Sequence, residues 1–273
     1  MRETSKADAE FDDSRRDHPA YTDPAYRRRR DAIAAQAEDH QVGQAIPRVE
    51  YSEAEHRVWR EVWQVLRPLH LQHSCQEVIA LQDRMRLFDG PIPQLLDLSW
   101  QLEQASGLCL VPVTGLQDTR EFFSILRRGA FPSTQYIRHP STPLYTPEPD
   151  LIHEFVGHVA TLADPRVAKL CVAFGDASRG ADAAEEIRLE RVFWYSLEYG
   201  MVVQNGEPKA FGAGLLSSCG EIAQALSGPE HLQWNIDAMA EKTFDPTHMQ
   251  PELFVADSVD HLLGSLHDWL ARA

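Results

Sequence analysis

The residues best suited to chemistry lie in a short segment, Thr146–His158, which reads TPEPDLIHEFVGH. His153, Glu154 and His158 nearly match the zinc-protease signature H-E-x-x-H, but the second histidine comes one residue late. In that signature the histidines lie about 40° apart on one helix face and can bind one zinc ion. A spacing of five residues on a regular α-helix separates them by roughly 140°. The spacing therefore disfavours zinc-protease chemistry and leaves metal binding open.

Both histidines can reach one ion if the helix ends between them or widens into a π-type turn. Gly157 directly precedes His158, at a point where a helix could yield. The alternative is that both residues are hydrogen-bonded histidines near a helix end. Oxygen-activating iron enzymes bind their metal through two histidines and one carboxylate on one octahedral face. A suitable carboxylate elsewhere in the chain would therefore favour an iron site.

The candidate carboxylate is Glu198, in the segment RVFWYSLEYGMVV. It is the only acidic residue between Glu190 and Glu207, and its neighbours are mostly aromatic or aliphatic. Burying an uncompensated carboxylate is costly, so we expect Glu198 to have a charged partner. That partner can be a metal ion. The alternatives are an ion pair with an arginine such as Arg191, or a side chain that faces water.

Composition and charge set the class of protein. The 273 residues are 43% hydrophobic and 25% charged, with a formal net charge of −15, so we expect a soluble protein with no nucleic-acid or anionic-membrane partner. The sequence shows neither a secretory signal nor a run of about 18 apolar residues, which predicts a cytoplasmic location. Four scattered cysteines fit neither a disulfide framework nor a Cys-rich zinc site.

Periodicity predicts a mainly α single domain with a few short β-strands that precede the His-containing segment. Residues 1–46 are polar and read as a partly ordered arm; their RRRR run, at 27–30, is a solvated face or, less simply, an anion-binding patch. Residues 47–273 form the predicted catalytic domain. Ser52 with Glu55, and Ser74 with Glu77, predict capping boxes. Strands are predicted at 108–113 and 134–137, and helices at 118–129, 150–158, 182–204, 211–226 and 258–272.

Five segments together carry a resemblance to a known family: IPRVEYSEAEHRVW, TQYIRH, LYTPEPDLIHEFVGH, FWYSLEYG and KAFGAGLLSS. In this order they resemble the pterin-dependent aromatic amino acid hydroxylases over roughly residues 20–270. The resemblance implies a mainly helical catalytic domain that uses Fe(II), O2 and tetrahydrobiopterin, or a related reduced pterin. It also implies a reaction in which one oxygen atom enters an aromatic ring and the other leaves on the pterin.

The resemblance also implies roles for individual residues. Two of these have plain alternatives, since Phe122 can be a core aromatic and Arg138 a surface ion-pair partner. The implied iron ligands are His153, His158 and Glu198; the pterin contacts are Gly115, Leu116, Phe122 and Glu154; the substrate contacts are Arg138, Thr146, Pro149, Trp194, Gly214 and Ser217; the residues nearest the chemistry are Glu154, Trp194 and Tyr199.

Three positions bear on the substrate. Trp194 resembles the phenylalanine- and tyrosine-hydroxylating members, whereas tryptophan hydroxylases tend to have phenylalanine there. Pro246 stands where tyrosine hydroxylases carry an acid, although a one-residue shift would bring in Asp245. Tyr199 replaces a phenylalanine that usually follows the glutamate ligand. The resemblance therefore favours L-phenylalanine, hydroxylated para by default or meta because of Tyr199.

Other readings remain open at this point: a tyrosine or tryptophan hydroxylase, a zinc hydrolase that uses His153, Glu154 and His158, or a binding protein with a structural metal. The sequence shows no regulatory domain and no long heptad tail, so we expect a monomer, or at most a weak dimer. The expected partners are small molecules alone.

Overall fold

Helices dominate the computed structural model, which describes residues 17–88 and 90–272. The first sixteen residues of the predicted arm lie outside that part. The α-helices are α1 Pro19–Thr22, α2 Pro24–Ala34, α3 Glu53–His73, α4 Gln76–Met85, α5 Leu95–Ser106, α6 Thr119–Arg127, α7 Ala160–Leu162, α8 Pro165–Ala177, α9 Ala183–Phe193, α10 Ala213–Ser217, α11 Cys219–Gln224, α12 Ile236–Glu241 and α13 Val259–Leu270.

Two π-helices and a 3-10 turn complete the helical part. The π-helices are π1 His153–Val159 and π2 Trp194–Glu198, and the 3-10 turn is Ala35–Ala37. In the part of the chain that the structure describes, six strands form two small sheets. The strands are β1 Cys109–Pro112, β2 Ala130–Ser133, β3 Met201–Gln204, β4 Glu207–Ala210, β5 Glu230–Gln233 and β6 Glu252–Ala256. The predicted fold class, mainly helical with a few short strands, is confirmed.

Strand positions correct the sequence-based prediction in two places. The strand expected at 134–137 lies at Ala130–Ser133, where it pairs in parallel with β1. The helix expected to continue to residue 204 ends at Glu198, and Met201–Gln204 instead joins a sheet of order β4-β3-β6-β5. Four of the six strands in the described residues therefore follow the His-containing segment, contrary to the prediction. Pairing between β3 and β6 decides this outcome, and local periodicity does not report such a contact.

Helix caps show the same division between local and distant influence. At the start of α3, Ser52 and Glu55 form the predicted capping box. At the start of α4 the N-cap residue is Cys75 and no side chain caps the helix, so the second predicted box is wrong. Ser74 forms an isolated β-bridge with Ala210, and Cys75 N donates to the Ala210 carbonyl at 3.1 Å. This tertiary contact fixes the backbone that the cap would have needed.

The described part of the predicted arm packs on the rest of the chain. Tyr26 Oη donates to the Ile137 carbonyl at 3.0 Å. Two arginines of the RRRR run reach acids elsewhere: Arg29 pairs with Glu55 at 2.9 Å and Arg30 with Glu148 at 2.8 Å. The division of the chain at residue 46 stays a prediction. Within the described residues, no helix combines the length and apolarity needed to cross a membrane.

Candidate metal centre and substrate cavity

A π-helix brings the two histidines together. Residues His153–Val159 form π1, in which i→i+5 hydrogen bonding places residues five apart on the same face. Of the two arrangements that would let both histidines reach one ion, a helix end or a widened turn, the structure has the widened turn. Gly157 lies inside it because α10 packs closely there: a Cβ on Gly157 would stand 2.7 Å from the Ala213 carbonyl oxygen.

Glu198 completes a cluster with both imidazoles. It ends the second π-helix, π2, and its Oε1 lies 2.8 Å from His158 Nε2. The two histidine Nε2 atoms are 3.1 Å apart, and Glu198 Oε2 lies 3.8 Å from His153 Nε2. Gly212 packs closely against the backbone of Glu198, as Gly157 does against Ala213: a Cβ on Gly212 would lie 2.3 Å from the Glu198 carbonyl oxygen.

This geometry fits one metal ion. The three donor atoms lie within 4.8 Å of one another. With bonds of about 2.1 Å, neighbouring ligands of an octahedron are about 3 Å apart, which matches the two shorter contacts. Within the part of the chain that the structure describes, no cysteine joins the group. Two imidazoles and one carboxylate leave coordination positions for other ligands, as in oxygen-activating iron sites.

Electrostatics keep the donors in the forms that a metal needs. Burial lowers the pKa of His153 to about 4, so its imidazole is neutral near pH 7. Burial raises the pKa of Glu198, but its contacts with His158, His153 and the Gly214 backbone N–H together outweigh burial, so the pKa is lowered and the carboxylate is ionised. Ser217 Oγ lies 3.1 Å from His153 Nδ1 and fixes the orientation of the ring. Metal binding requires these deprotonated forms.

A cavity of about 600 Å³ opens beside this cluster. Most of the residues singled out in the sequence lie on its wall. These are Leu116, Phe122, Arg138, Thr146, Pro149, His153, Trp194, Glu198, Tyr199, Gly214 and Ser217. Three others are not lining residues: His158, which contacts Glu198 at 2.8 Å; Gly115, which precedes the lining residue Leu116; and Glu154, which is buried. Burial, reinforced by Glu198 and Asp150, raises the pKa of Glu154 well above its usual value.

Arg138 belongs to a buried ion pair. Its Nε and Nη2 donate to Asp150 Oδ2 and Oδ1 at 2.9 and 2.8 Å, and both side chains are almost fully buried. The same carboxylate accepts from the backbone N–H groups of Arg138 at 2.7 Å and His153 at 3.3 Å. Asp150 thus joins the cavity arginine to the first metal ligand. Sequence reasoning missed it, although it lies inside the segment that was singled out.

Aromatic rings form one side of the cavity. Trp194 stacks on Phe244, with ring centroids 4.2 Å apart and an interplanar angle of 11°, and its ring lies 4.7 Å from that of Tyr199. Gly214 has to be a glycine here because a Cβ would stand 2.6 Å from Tyr199 Cζ. Phe122 is edge-on to Phe193 at 5.1 Å and also faces the cavity. Phe122 can therefore pack in the core and also stack on a pterin, so the two interpretations of this residue from the sequence are compatible.

Glu221 is an acidic wall residue that the sequence did not suggest. It is 9% exposed, and its Oε1 accepts from Gln250 N at 3.2 Å. Burial raises its pKa from 4.5 to about 7. The exchange of a glutamate for glutamine tests this shift, since glutamine keeps the shape and cannot ionise.

We expect the free energy of unfolding of the wild type to fall, relative to Glu221→Gln, between about pH 5 and pH 8. A folded-state pKa above the unfolded one means that the folded state holds the extra proton, so stability decreases as pH rises through that window. The shift corresponds to at most about 3 kcal/mol. Urea unfolding of the wild type, Glu221→Gln and the exposed control Glu230→Gln across this range measures it. Parallel pH profiles for all three proteins would contradict the assignment.

The fold and the site together define a mainly helical protein with a mononuclear two-histidine, one-carboxylate metal site. The family model of the biopterin-dependent aromatic amino acid hydroxylases matches residues 2–272, and this chain belongs to that family. It is 40% identical over 261 residues to tyrosine 3-monooxygenase from Mus musculus, covering 94% of this chain and 52% of the relative.

Other relatives act on a different amino acid. The chain is 43% identical over 244 residues to the chloroplastic phenylalanine 4-monooxygenase of Chlamydomonas reinhardtii, covering 88% of this chain and 64% of that protein. It therefore spans about half to two thirds of the length of these relatives. Among solved structures, phenylalanine hydroxylase from Legionella pneumophila superposes with a TM-score of 0.77 at 27% identity, covering 85% of this chain and 91% of that one.

The phenylalanine hydroxylase of Chromobacterium violaceum, solved with iron(III) and 7,8-dihydrobiopterin, superposes with a TM-score of 0.74 at 28% identity, covering 82% of this chain and 84% of that one. The family and this neighbour agree with the cofactors that the resemblance implied, iron and a biopterin. Phenylalanine and tyrosine enzymes are both among the relatives, so family membership leaves the substrate to be determined.

Proposed function

We propose that this protein hydroxylates the aromatic ring of L-phenylalanine, with O2 and tetrahydrobiopterin as co-substrates and Fe(II) held by His153, His158 and Glu198. The observation that carries this proposal is the opening of the three-ligand cluster into a cavity with aromatic walls and a buried arginine. When bound, the iron and the reduced pterin would supply the activation of oxygen.

The residues of the chain supply orientation. Arg138 lines the cavity while Asp150 holds its Nε edge, so the guanidinium is fixed and can receive a carboxylate with its remaining donors. Stacked Trp194 and Phe244 offer a flat apolar surface for a substrate ring. A free amino acid with an aromatic side chain matches both ends of this cavity.

The late loop supports phenylalanine over tyrosine. Pro246 lines the cavity, whereas Asp245 turns away and accepts from the backbone N–H of Thr247 at 2.9 Å and contacts His248 Nδ1 at 2.9 Å. An acid at this part of the wall is the feature that the resemblance associates with tyrosine hydroxylases. Pro246 places no charge at this point of the wall, which suits an unsubstituted ring.

Ring position is the finer part of the proposal. Para hydroxylation, which gives tyrosine, is the default product. Meta hydroxylation is the second candidate, favoured by Tyr199: its phenol ring packs on Gly214 and Trp194, directly after the glutamate ligand. A hydroxyl group there can shift the ring of the substrate relative to the metal.

The deciding experiment incubates the purified protein with Fe(II), a reduced pterin and, separately, phenylalanine, tyrosine and tryptophan. We expect tyrosine as the main product from phenylalanine, identified by chromatography against authentic para and meta standards. The Tyr199→Phe variant tests the second candidate, since any meta product should decrease in it. Preferred turnover of tyrosine or tryptophan, or zinc-dependent peptide cleavage, would contradict the proposal. The monomeric state and the cytoplasmic location stay predictions, the first open to sedimentation velocity.

A further inference from the structure

Gln250 makes an unusual set of hydrogen bonds behind the cavity wall. Its side chain is 5% exposed and does not line the cavity. Its Oε1 accepts from the indole N–H of Trp194 at 3.1 Å. Its Nε2 donates to the carbonyl oxygens of Asp245 and His248, at 2.9 Å each. One buried amide thus bonds a wall residue and two backbone carbonyls of a single loop.

The loop held by Gln250 is itself cavity wall. We call residues 244–249 the cavity loop. Its wall-lining members are Phe244, Pro246, Thr247, His248 and Met249. Between Lys242 and Glu252 the chain forms no regular element, so side-chain hydrogen bonds have to set the conformation of the loop. Trp194, on π2, is the surface on which Phe244 stacks.

Hydrogen bonds on both sides of Gln250 fix its backbone relative to Trp194 and the cavity loop. The backbone N–H of Gln250 donates to Glu221 Oε1 at 3.2 Å. Glu221 lies in α11, which directly follows α10, and α10 ends at Ser217, the residue that contacts His153 of the metal cluster. On the other side of Gln250 the chain enters the four-stranded sheet, where the Pro251 carbonyl accepts from Glu230 N at 2.8 Å. Because its backbone is anchored on two sides, the amide can transmit a fixed position to Trp194 and to the loop.

We propose that Gln250 is a positioning residue that locks Trp194 and the cavity loop into one wall, and that this wall sets which aromatic ring the cavity accepts. The proposal rests on the function proposed above only for the choice of phenylalanine as reference substrate. A planar amide is needed, since the role requires one acceptor and two donors in one plane. An apolar side chain of the same length would leave the indole N–H and both carbonyls without these partners.

The main test replaces Gln250 by methionine, which is similar in length and volume and makes no such bonds. We expect the KM for the amino acid to rise at least about threefold, and the selectivity for phenylalanine over tryptophan to fall at least about threefold, since a net hydrogen bond changes an equilibrium by about this factor. The pterin KM should stay unchanged, because Leu116 and Phe122 lie outside this network. Gln104→Met, on the exposed face of α5, is the matched control.

A double-mutant cycle separates positioning from general destabilisation. Trp194→Phe removes the indole N–H that Gln250 accepts. If Gln250 acts through Trp194, the double variant that carries both Trp194→Phe and Gln250→Met should change the selectivity by clearly less than the product of the two single-variant changes. Independent, multiplicative effects would overturn the proposal, and so would a Gln250→Met enzyme with unchanged selectivity and KM. If tyrosine proves to be the preferred substrate, the selectivity is measured for tyrosine over tryptophan instead. The role of Gln250 can therefore be tested even if phenylalanine is not the substrate.

Hydrogen exchange gives a readout without turnover and without the Gln250 variant. Trp194→Phe leaves Gln250 in place but removes one of the bonds that orient its amide. We expect faster amide exchange in the peptide that spans the cavity loop, with unchanged exchange in α5. If Gln250→Met fails to fold, this measurement still decides, because unchanged exchange in the loop would overturn the proposal.

Discussion

Replacing Glu198 by alanine is expected to abolish hydroxylation and to weaken iron binding at least about 100-fold. Loss of a partner that only orients a ligand already costs about 10- to 100-fold in metal affinity, and Glu198 is itself one of the three donors, with Oε1 2.8 Å from His158 Nε2. It is also the only carboxylate among them. In the variant, two imidazoles would have to hold the ferrous ion without a negatively charged ligand.

The measurement is the iron content after dialysis against a defined Fe(II) concentration, together with the product yield from phenylalanine. Glu103→Ala, on the exposed surface of α5, is the matched control and should retain both. Circular dichroism shows whether the variant is folded. An alanine variant that retained iron and turned over normally would remove Glu198 from the metal site.

Replacing Asp150 by alanine is expected to lower the free energy of unfolding by about 3–5 kcal/mol. The Arg138 guanidinium would then remain buried without a counter-charge, and removing one partner of a buried ion pair costs about this much. The backbone N–H groups of Arg138 and His153 would also lose their shared acceptor. For a chain of this size the change corresponds to a fall of roughly 10 °C in the melting temperature.

Differential scanning calorimetry measures the effect. The matched control is Asp97→Ala, which breaks the surface pair with Arg48, 2.7 Å long with both side chains more than half exposed. Such a pair contributes less than about 1 kcal/mol. We also expect a raised KM for the amino acid in Asp150→Ala, because its carboxylate fixes Arg138. Equal melting temperatures for the two variants would show that the buried pair does not stabilise the fold.

Much of the metal centre can be predicted from short stretches of sequence. The five-residue spacing of His153 and His158 requires a helix end or a widened turn if both bind one ion, and Gly157 marks a point where a helix could yield. Glu198 stands out because a lone acid in an apolar segment needs a partner. The Ser52 capping box is also local, since all its bonds lie within one helical turn.

Tertiary structure alone decided the rest. Met201–Gln204 becomes a strand because β6, some fifty residues later, pairs with it. Ser74 loses its expected cap because Ala210 bonds the neighbouring backbone. In the same way, Asp150 and Gln250 acquire their roles from partners that only folding brings near.

The sequence by itself determined which side chains can bind a metal, because donor type and helical spacing are local properties. The tertiary structure decided how those side chains are held and how the cavity is walled, because buried ion pairs, strand pairing and close glycine contacts depend on segments far apart in the chain. Local periodicity contains no information about such distant partners.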